Sequence, residues 1–221
     1  MRKLIQQYFS SLDGVVQAPG GAEEDTDGGF EHGGWSIPYF DLDTMGPFVD
    51  ASLDESTALL FGRKTWEGMA AAWPDRDDGS DPFASRMNSA EKYVVSSTLG
   101  DDDMTWANSY LLATGDGSDA VGLVSELKAR GDGDLLMMGS SELGRALLAA
   151  DLVDEMRLMI EPVVLGGGKT AFPVDGSVHH FELTESTVAE TGVICCVYRA
   201  AEAPAGPVDA PTTPTPADGS E

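Results

Sequence analysis

Residues 134–173 constrain the fold more than any other stretch of the chain. Leu135-Leu136-Met137-Met138 is an apolar run too short for a helix and long enough for a buried strand. Gly139 interrupts the run, and Ser140 or Ser141 can cap a new helix. Leu143, Ala146, Leu147 and Ala150 then recur at the i, i+3, i+4, i+7 spacing of an amphipathic helix. A second strand, Met156 to Leu165, completes the unit before the glycines 166–168 and Phe172-Pro173. A strand that turns through small residues into a helix aims free backbone N–H groups and the positive end of the helix dipole at one spot, which suits a phosphate. Taken alone, the same turn also fits an ordinary connection in an α/β domain.

The rest of the chain repeats the alternation. Lys3–Phe9, Ala58–Phe61 and Tyr93–Val95 read as strands, and short strands are expected near Thr105–Ala107 and Tyr110–Ala113. Helices are expected within Leu42–Glu55 (apolar at Met45, Phe48, Val49 and Leu53), over the segment carrying Trp66, Met69 and Ala70, and as a turn near Phe83–Met87. Another runs from a cap at Ser118 or Asp119 to Ala129, with Val121, Val124 and Leu127 facing inward. Phe181–Ala189 and Val193–Ala200 form a closing antiparallel pair about Thr191-Gly192. The pattern predicts one α/β domain over 1–200, with a mainly parallel central sheet, an antiparallel C-terminal edge and flanking helices. From 201 to 221 the sequence is Pro, Thr, Ala and acid without apolar periodicity, which predicts a disordered tail. Pro19 to Gly34 is a glycine- and acid-rich loop, long enough to be functional or disordered.

Charge narrows the partners. Thirty-eight acidic against 13 basic residues give a net charge of −25, which argues against nucleic acid or an anionic membrane as partner, both being polyanions. Carboxylates spread through most of the chain are the surface expected in concentrated salt, where the Debye length falls to about 3 Å at 1 M. No apolar run approaches the ~20 residues needed to cross a bilayer. Arg2-Lys3 lead only into Leu4-Ile5 before Gln6-Gln7, so a signal-peptide core is absent. Cys195 and Cys196, adjacent on a strand, point to opposite faces and do not suit a mutual disulfide. The chain reads as cytoplasmic.

Between Lys3 and Arg76 the only cations are Arg63 and Lys64, among thirteen acids. Placed at the exit of the Ala58–Phe61 strand, they suit phosphate oxygens, the guanidinium by its planar fork. Offsetting neighbouring acids is the plainer use of such a pair. Ser96-Ser97-Thr98 adds hydroxyls at another strand exit. In an open α/β sheet ligands gather at the carboxyl ends of the strands, so Gly62, Ser96 and Gly139 would bring three loops to one rim.

Phe61-Gly62-Arg63-Lys64-Thr65-Trp66-Glu67 resembles the glycine–arginine–x–threonine–aromatic–glutamate motif of dihydrofolate reductase. Val94-Val95-Ser96-Ser97 resembles that family's second cofactor loop, and Trp35-x-x-Pro38 its substrate-side motif. Ser11-Leu12-Asp13-Gly14, Asp151 to Glu155, and Pro162 to Gly168 are similar to the reductase domain of riboflavin biosynthesis. The resemblance, running from about Lys3 to Arg199, implies the dihydrofolate-reductase-like three-layer fold and an NADPH-dependent reductase of a small heterocycle, of aminopyrimidine or pteridine type. It implies Gly62, Arg63, Lys64 and Thr65 on the 2′-phosphate and pyrophosphate, and Ser96, Ser97 and Thr98 beside the adenosine. Gly139, Ser140, Ser141, Glu142 and Leu143 would hold the pyrophosphate at the helix mouth, where the family has two glycines and this chain Gly139-Ser140. Trp35 and Ser11 fall on the substrate side. A desolvated acid would relay the proton; Asp41 is the candidate by the dihydrofolate reductase pattern and Asp13 by the riboflavin pattern. Related reductases are often dimers, and a homodimer stays open. A nucleotide-binding regulator that kept the pocket without turnover is the alternative from another class.

Riboflavin reductases often accompany a zinc deaminase. His180-Phe181-Glu182 matches one half of its signature, but no P-C-x-x-C is present, so no metal site is expected.

Overall fold

Hydrophobic runs of strand length separated by amphipathic helices leave little choice but a sheet covered on both faces. The computed structural model describes residues 1–76, 81–115 and 119–204. Its eight strands are β1 (Leu4–Ser11), β2 (Ser56–Gly62), β3 (Glu91–Ser96), β4 (Ser109–Ala113), β5 (Asp134–Met138), β6 (Glu155–Glu161), β7 (Phe181–Val188) and β8 (Ile194–Ala200). They form one sheet in the order β4-β3-β2-β5-β1-β6-β8-β7. β1 to β6 pair in parallel, and β8 joins β6 and β7 antiparallel. The mainly parallel sheet with its antiparallel C-terminal edge is as expected.

Helices α1 (Met45–Asp54), α2 (Arg63–Ala72) and α3 (Pro82–Ser89) cover one face, packing Leu53, Trp66 and Met87 onto Ile5, Leu59, Phe61 and Leu136. Helices α4 (Ala120–Ala129) and α5 (Ser141–Ala149) cover the other, with Val124, Leu147 and Leu148 against Leu4, Leu60, Leu135 and Met137. Cys195 and Cys196 are free, buried, and divided between the two faces.

Three local expectations change and one open choice is settled. Thr105–Ala107 is not a strand: Trp106 is buried against Phe61 and its indole donates to Asn88 Oδ1 at 2.6 Å. The buried Lys92 ammonium, 4.4 Å from the Trp106 ring centroid, donates to the carbonyls of Asn88, Ala90 and Ala107 and holds the segment as a turn. β6 ends at Glu161 and not at Leu165, because Pro162 offers no N–H to the ladder. On α5, Ala146 is exposed and the buried stripe is Gly144, Leu147 and Leu148. Gly144 takes the inward position because a Cβ there would lie 1.9 Å from the Tyr8 hydroxyl. Finally, Asp119 caps α4 by accepting from Gly122 N at 2.6 Å, while Ser118 and the expected tail at 205–221 lie outside the described residues. No helix among the described residues is long and apolar enough to cross a membrane.

Candidate active site

All six parallel strands end on one rim, so their carboxyl-terminal loops share it. β2 and β5 are neighbours there, and the exits from both are tied together. Gly139 and Ser140 both take the left-handed conformation, at φ +79° and +63°, with the peptide between them trans. That conformation is uncommon for serine, and it turns the Ser140 hydroxyl across to β2, where it accepts from Gly62 N at 2.7 Å. Ser140 therefore does not cap its own helix with its side chain, contrary to the expectation from sequence. A Cβ on Gly139 would meet Thr65 Cγ2 at 3.2 Å, so Thr65 closes the other side of the joint.

The consequence is electrostatic. α3 and α4 have their first amides taken by Asp81 and Asp119. α2 and α5 start from Gly62 and Ser140 with no side-chain cap. Two uncapped helix mouths therefore lie side by side, and their orphan N–H donors favour an anion. Arg63 opens α2 and pairs with Glu67 at 3.0 Å, both about 40% exposed, a bond that a stronger anion can displace. Lys64 pairs with Asp27 from the long acidic loop. Ser141 is partly buried, Glu142 exposed and Leu143 partly buried. One strand further out, Ser96 Oγ accepts from Thr98 N and Leu99 N at 3.1 Å, which folds the exit of β3 and leaves Ser97 and Thr98 exposed on the rim.

On the other side of the rim, Trp35 is buried and its indole donates to Gln17 O at 2.8 Å. Ser11 is buried too, with its hydroxyl donating to Asp13 Oδ1 at 2.7 Å and accepting from Val15 N at 2.9 Å. It builds the turn after β1. Asp13 does not have the property asked of a proton relay. Its carboxylate is exposed and held down at about 2 by Ser11 and the amides of Leu165 and Gly166. Asp41 is partly exposed and accepts from Thr44 N at 2.8 Å, ahead of α1.

A desolvated acid stands at Glu161, which sequence reasoning did not single out. It is the last residue of β6, fully buried, and burial pushes its carboxyl from an ordinary 4.5 up to about 7. One oxygen accepts from Ser36 Oγ at 2.8 Å and the other from Ser10 N at 3.0 Å. Ser36 belongs to the Trp35-x-x-Pro38 segment, so the acid hangs beneath the stretch the sequence marks as substrate-side. The available signal was the acid directly before Pro162 at the end of an apolar run.

A family model described as the RibD C-terminal domain matches residues 2–195. The uncharacterized protein YyaP of Bacillus subtilis (strain 168) is 26% identical over 201 residues, spanning 89% of this chain and 94% of that protein. A putative riboflavin biosynthesis protein from Shewanella sp. PV-4 superposes with a TM-score of 0.66 at 20% identity, over 90% of this chain and 99% of the other. The dihydrofolate reductase of Enterococcus faecalis, solved with NADP(H), superposes with a TM-score of 0.54 at 17% identity, over 90% and 97% of the two chains.

Proposed function

The chain belongs to the RibD C-terminal domain family, and on that premise we propose that it is an NADPH-dependent reductase of a small heterocycle of aminopyrimidine or pteridine type. The observation that carries this reading is the joint between Gly62 and Ser140, which sets two uncapped helix mouths beside Arg63. A dinucleotide pyrophosphate fits that donor set: free amides, two glycine-lined approaches and a guanidinium within one turn. Arg63 takes the 2′-phosphate, the start of α5 from Ser141 to Leu143 takes the pyrophosphate, and Ser97 and Thr98 border the adenosine.

When bound, the cofactor supplies a hydride to an electron-poor ring carbon. The chain's task is then to deliver a proton to the adjoining ring atom. Glu161 is the group suited to hold it, because a carboxyl that titrates near 7 is still substantially protonated at neutral pH. The Ser36 hydroxyl, which donates to Glu161 Oε1 at 2.8 Å, relays the proton by turning its own O–H outward and accepting from the protonated carboxyl. Trp35 and Ser36 are themselves buried, which keeps water from the acid.

Single-turnover oxidation of NADPH with dihydropterin and aminouracil substrates tests the proposal. Hydride transfer to either class supports a reductase. Tight NADPH binding without turnover across a broad heterocycle panel would favour a nucleotide-binding regulator instead.

A further inference from the structure

The chain has only five lysines, and two of them converge on one carboxylate. Lys64 comes from the exit of β2 and Lys169 from the loop after β6, with β5 and β1 lying between those strands. Asp27 reaches both, pairing with Lys64 and with Lys169 at 2.8 Å, while Lys169 also pairs with Asp25 at 2.6 Å. The acidic loop is thereby strapped across four strand ends.

The strap is framed from beneath. Gln17 is buried, its amide nitrogen donates to the carbonyls of Asp25 and Asp27 at 3.0 Å each, and its oxygen accepts from Lys169 N at 2.9 Å. Gly28 and Gly29, both at positive φ, turn the chain immediately after Asp27. Asp27 and Lys169 also line a cavity of about 460 Å³, with Phe30, Glu31, His32 and the glycines 166–168 on its other walls. That volume admits a small organic ligand.

We infer that Lys64 and Lys169 form a phosphoryl-binding site that the chain closes with its own Asp27, and that a phosphate-bearing ligand enters by exchange with that carboxylate. Two ammoniums and the carboxylates of Asp25 and Asp27 balance in charge, so withdrawing Asp27 leaves one positive charge for a phosphoryl oxygen to neutralise. Asp27 and Lys64 are each about half exposed, so the exchange needs no unpacking of the core. Hydrogen bonds and charge from Lys169 and Lys64 hold the Asp27 carboxyl at about 2, so the internal occupant stays anionic at any physiological pH. The phosphoryl group comes either from the nucleotide cofactor or from a phosphorylated second ligand. Only the first source rests on the reductase reading.

Inorganic pyrophosphate, NADP⁺ and ribose 5-phosphate are titrated at constant ionic strength into the wild type, Asp27→Asn and Lys169→Gln, with hydrogen exchange of residues 19–34 read alongside. The inference predicts that Asp27→Asn binds pyrophosphate at least fivefold more tightly than wild type, that Lys169→Gln binds it more weakly than wild type, and that pyrophosphate speeds exchange of the wild-type loop. Equal pyrophosphate affinity in wild type and Asp27→Asn, with the loop unperturbed, overturns it. A gain for pyrophosphate and ribose 5-phosphate without NADP⁺ binding keeps this site and sinks the cofactor reading. NADP⁺ binding that is equally tight in both proteins, with no gain for pyrophosphate or ribose 5-phosphate, does the reverse. Should Asp27→Asn fold poorly, Lys64→Gln supplies the second arm, because loss of that pair must also speed exchange of the loop.

Discussion

The Gly62 amide donates to the Ser140 hydroxyl at 2.7 Å, joining the exits of two neighbouring parallel strands whose sequences lie 78 positions apart. The bond exists because Ser140 sits at φ +63° and so cannot turn its hydroxyl back onto its own helix. One strained serine thus fixes the spacing of two helix mouths and leaves the amides of both for a ligand.

Ser140→Ala should destabilise the protein by about 1–2 kcal/mol, since it strands a partly buried amide while keeping the unfavourable backbone. Ser140→Gly should cost less, because glycine takes positive φ freely. Urea melts of the two variants check the order. A larger loss for glycine would show that the left-handed backbone at this position carries no strain.

Glu161 gives stability a pH dependence of definite sign. Its folded-state value of about 7 lies above the ordinary 4.5, so the folded state holds the proton more tightly than the unfolded chain. Stability from this group is complete below about 4.5 and is lost as pH rises through about 7, a change on the order of 3 kcal/mol. Glu161→Gln should flatten that slope. Asp13 and Asp27, both depressed to about 2, act oppositely: their contribution is present above about 4 and fades as pH falls through about 2. Melting midpoints of wild type and Glu161→Gln from pH 4 to 8 test the sign, and parallel curves would refute it.

Gln7 lies buried in the central strand, with neither amide atom partnered among the described residues. Gln7→Met keeps the volume and removes the orphaned polar group, so it should stabilise the ligand-free protein by about 1–2 kcal/mol. A lower denaturation midpoint for the variant would mean that the amide is satisfied in solution.

Gly144→Ala should be among the most damaging single changes. The added carbon would lie 1.9 Å from Tyr8 Oη and 2.9 Å from Met137 Cε, both in the main core. A loss of about 2–4 kcal/mol is expected from overpacking. Near-wild-type melting would show that α5 can slide outward without cost.

The strand and helix alternation was legible because the parallel core demands continuous apolar runs, as at Ala58–Phe61 and Leu135–Met138. The shared rim was legible because Gly62, Ser96 and Gly139 each stand at the exit of a strand read from the sequence, and parallel strands bring their exits to one edge. Three features were not. Glu161 is one of 38 acids, and only the folded contact with Ser36 and Ser10 reveals its burial. The Asp27 strap joins residues 142 positions apart, beyond any local pattern. Ser140 reads as a helix cap until the backbone turns it away. Local periodicity reports which face is buried; it says nothing of which buried polar groups meet.

The central claim is that Arg63, beside the Gly62–Ser140 joint, holds a cofactor phosphate. Titration of wild type and Arg63→Ala with NADPH and with NADH in molar salt, followed by tryptophan fluorescence, tests it most directly. The account predicts at least tenfold weaker NADPH binding in the variant and little change for NADH, which lacks the 2′-phosphate. Equal losses for both cofactors, or none for either, would contradict it.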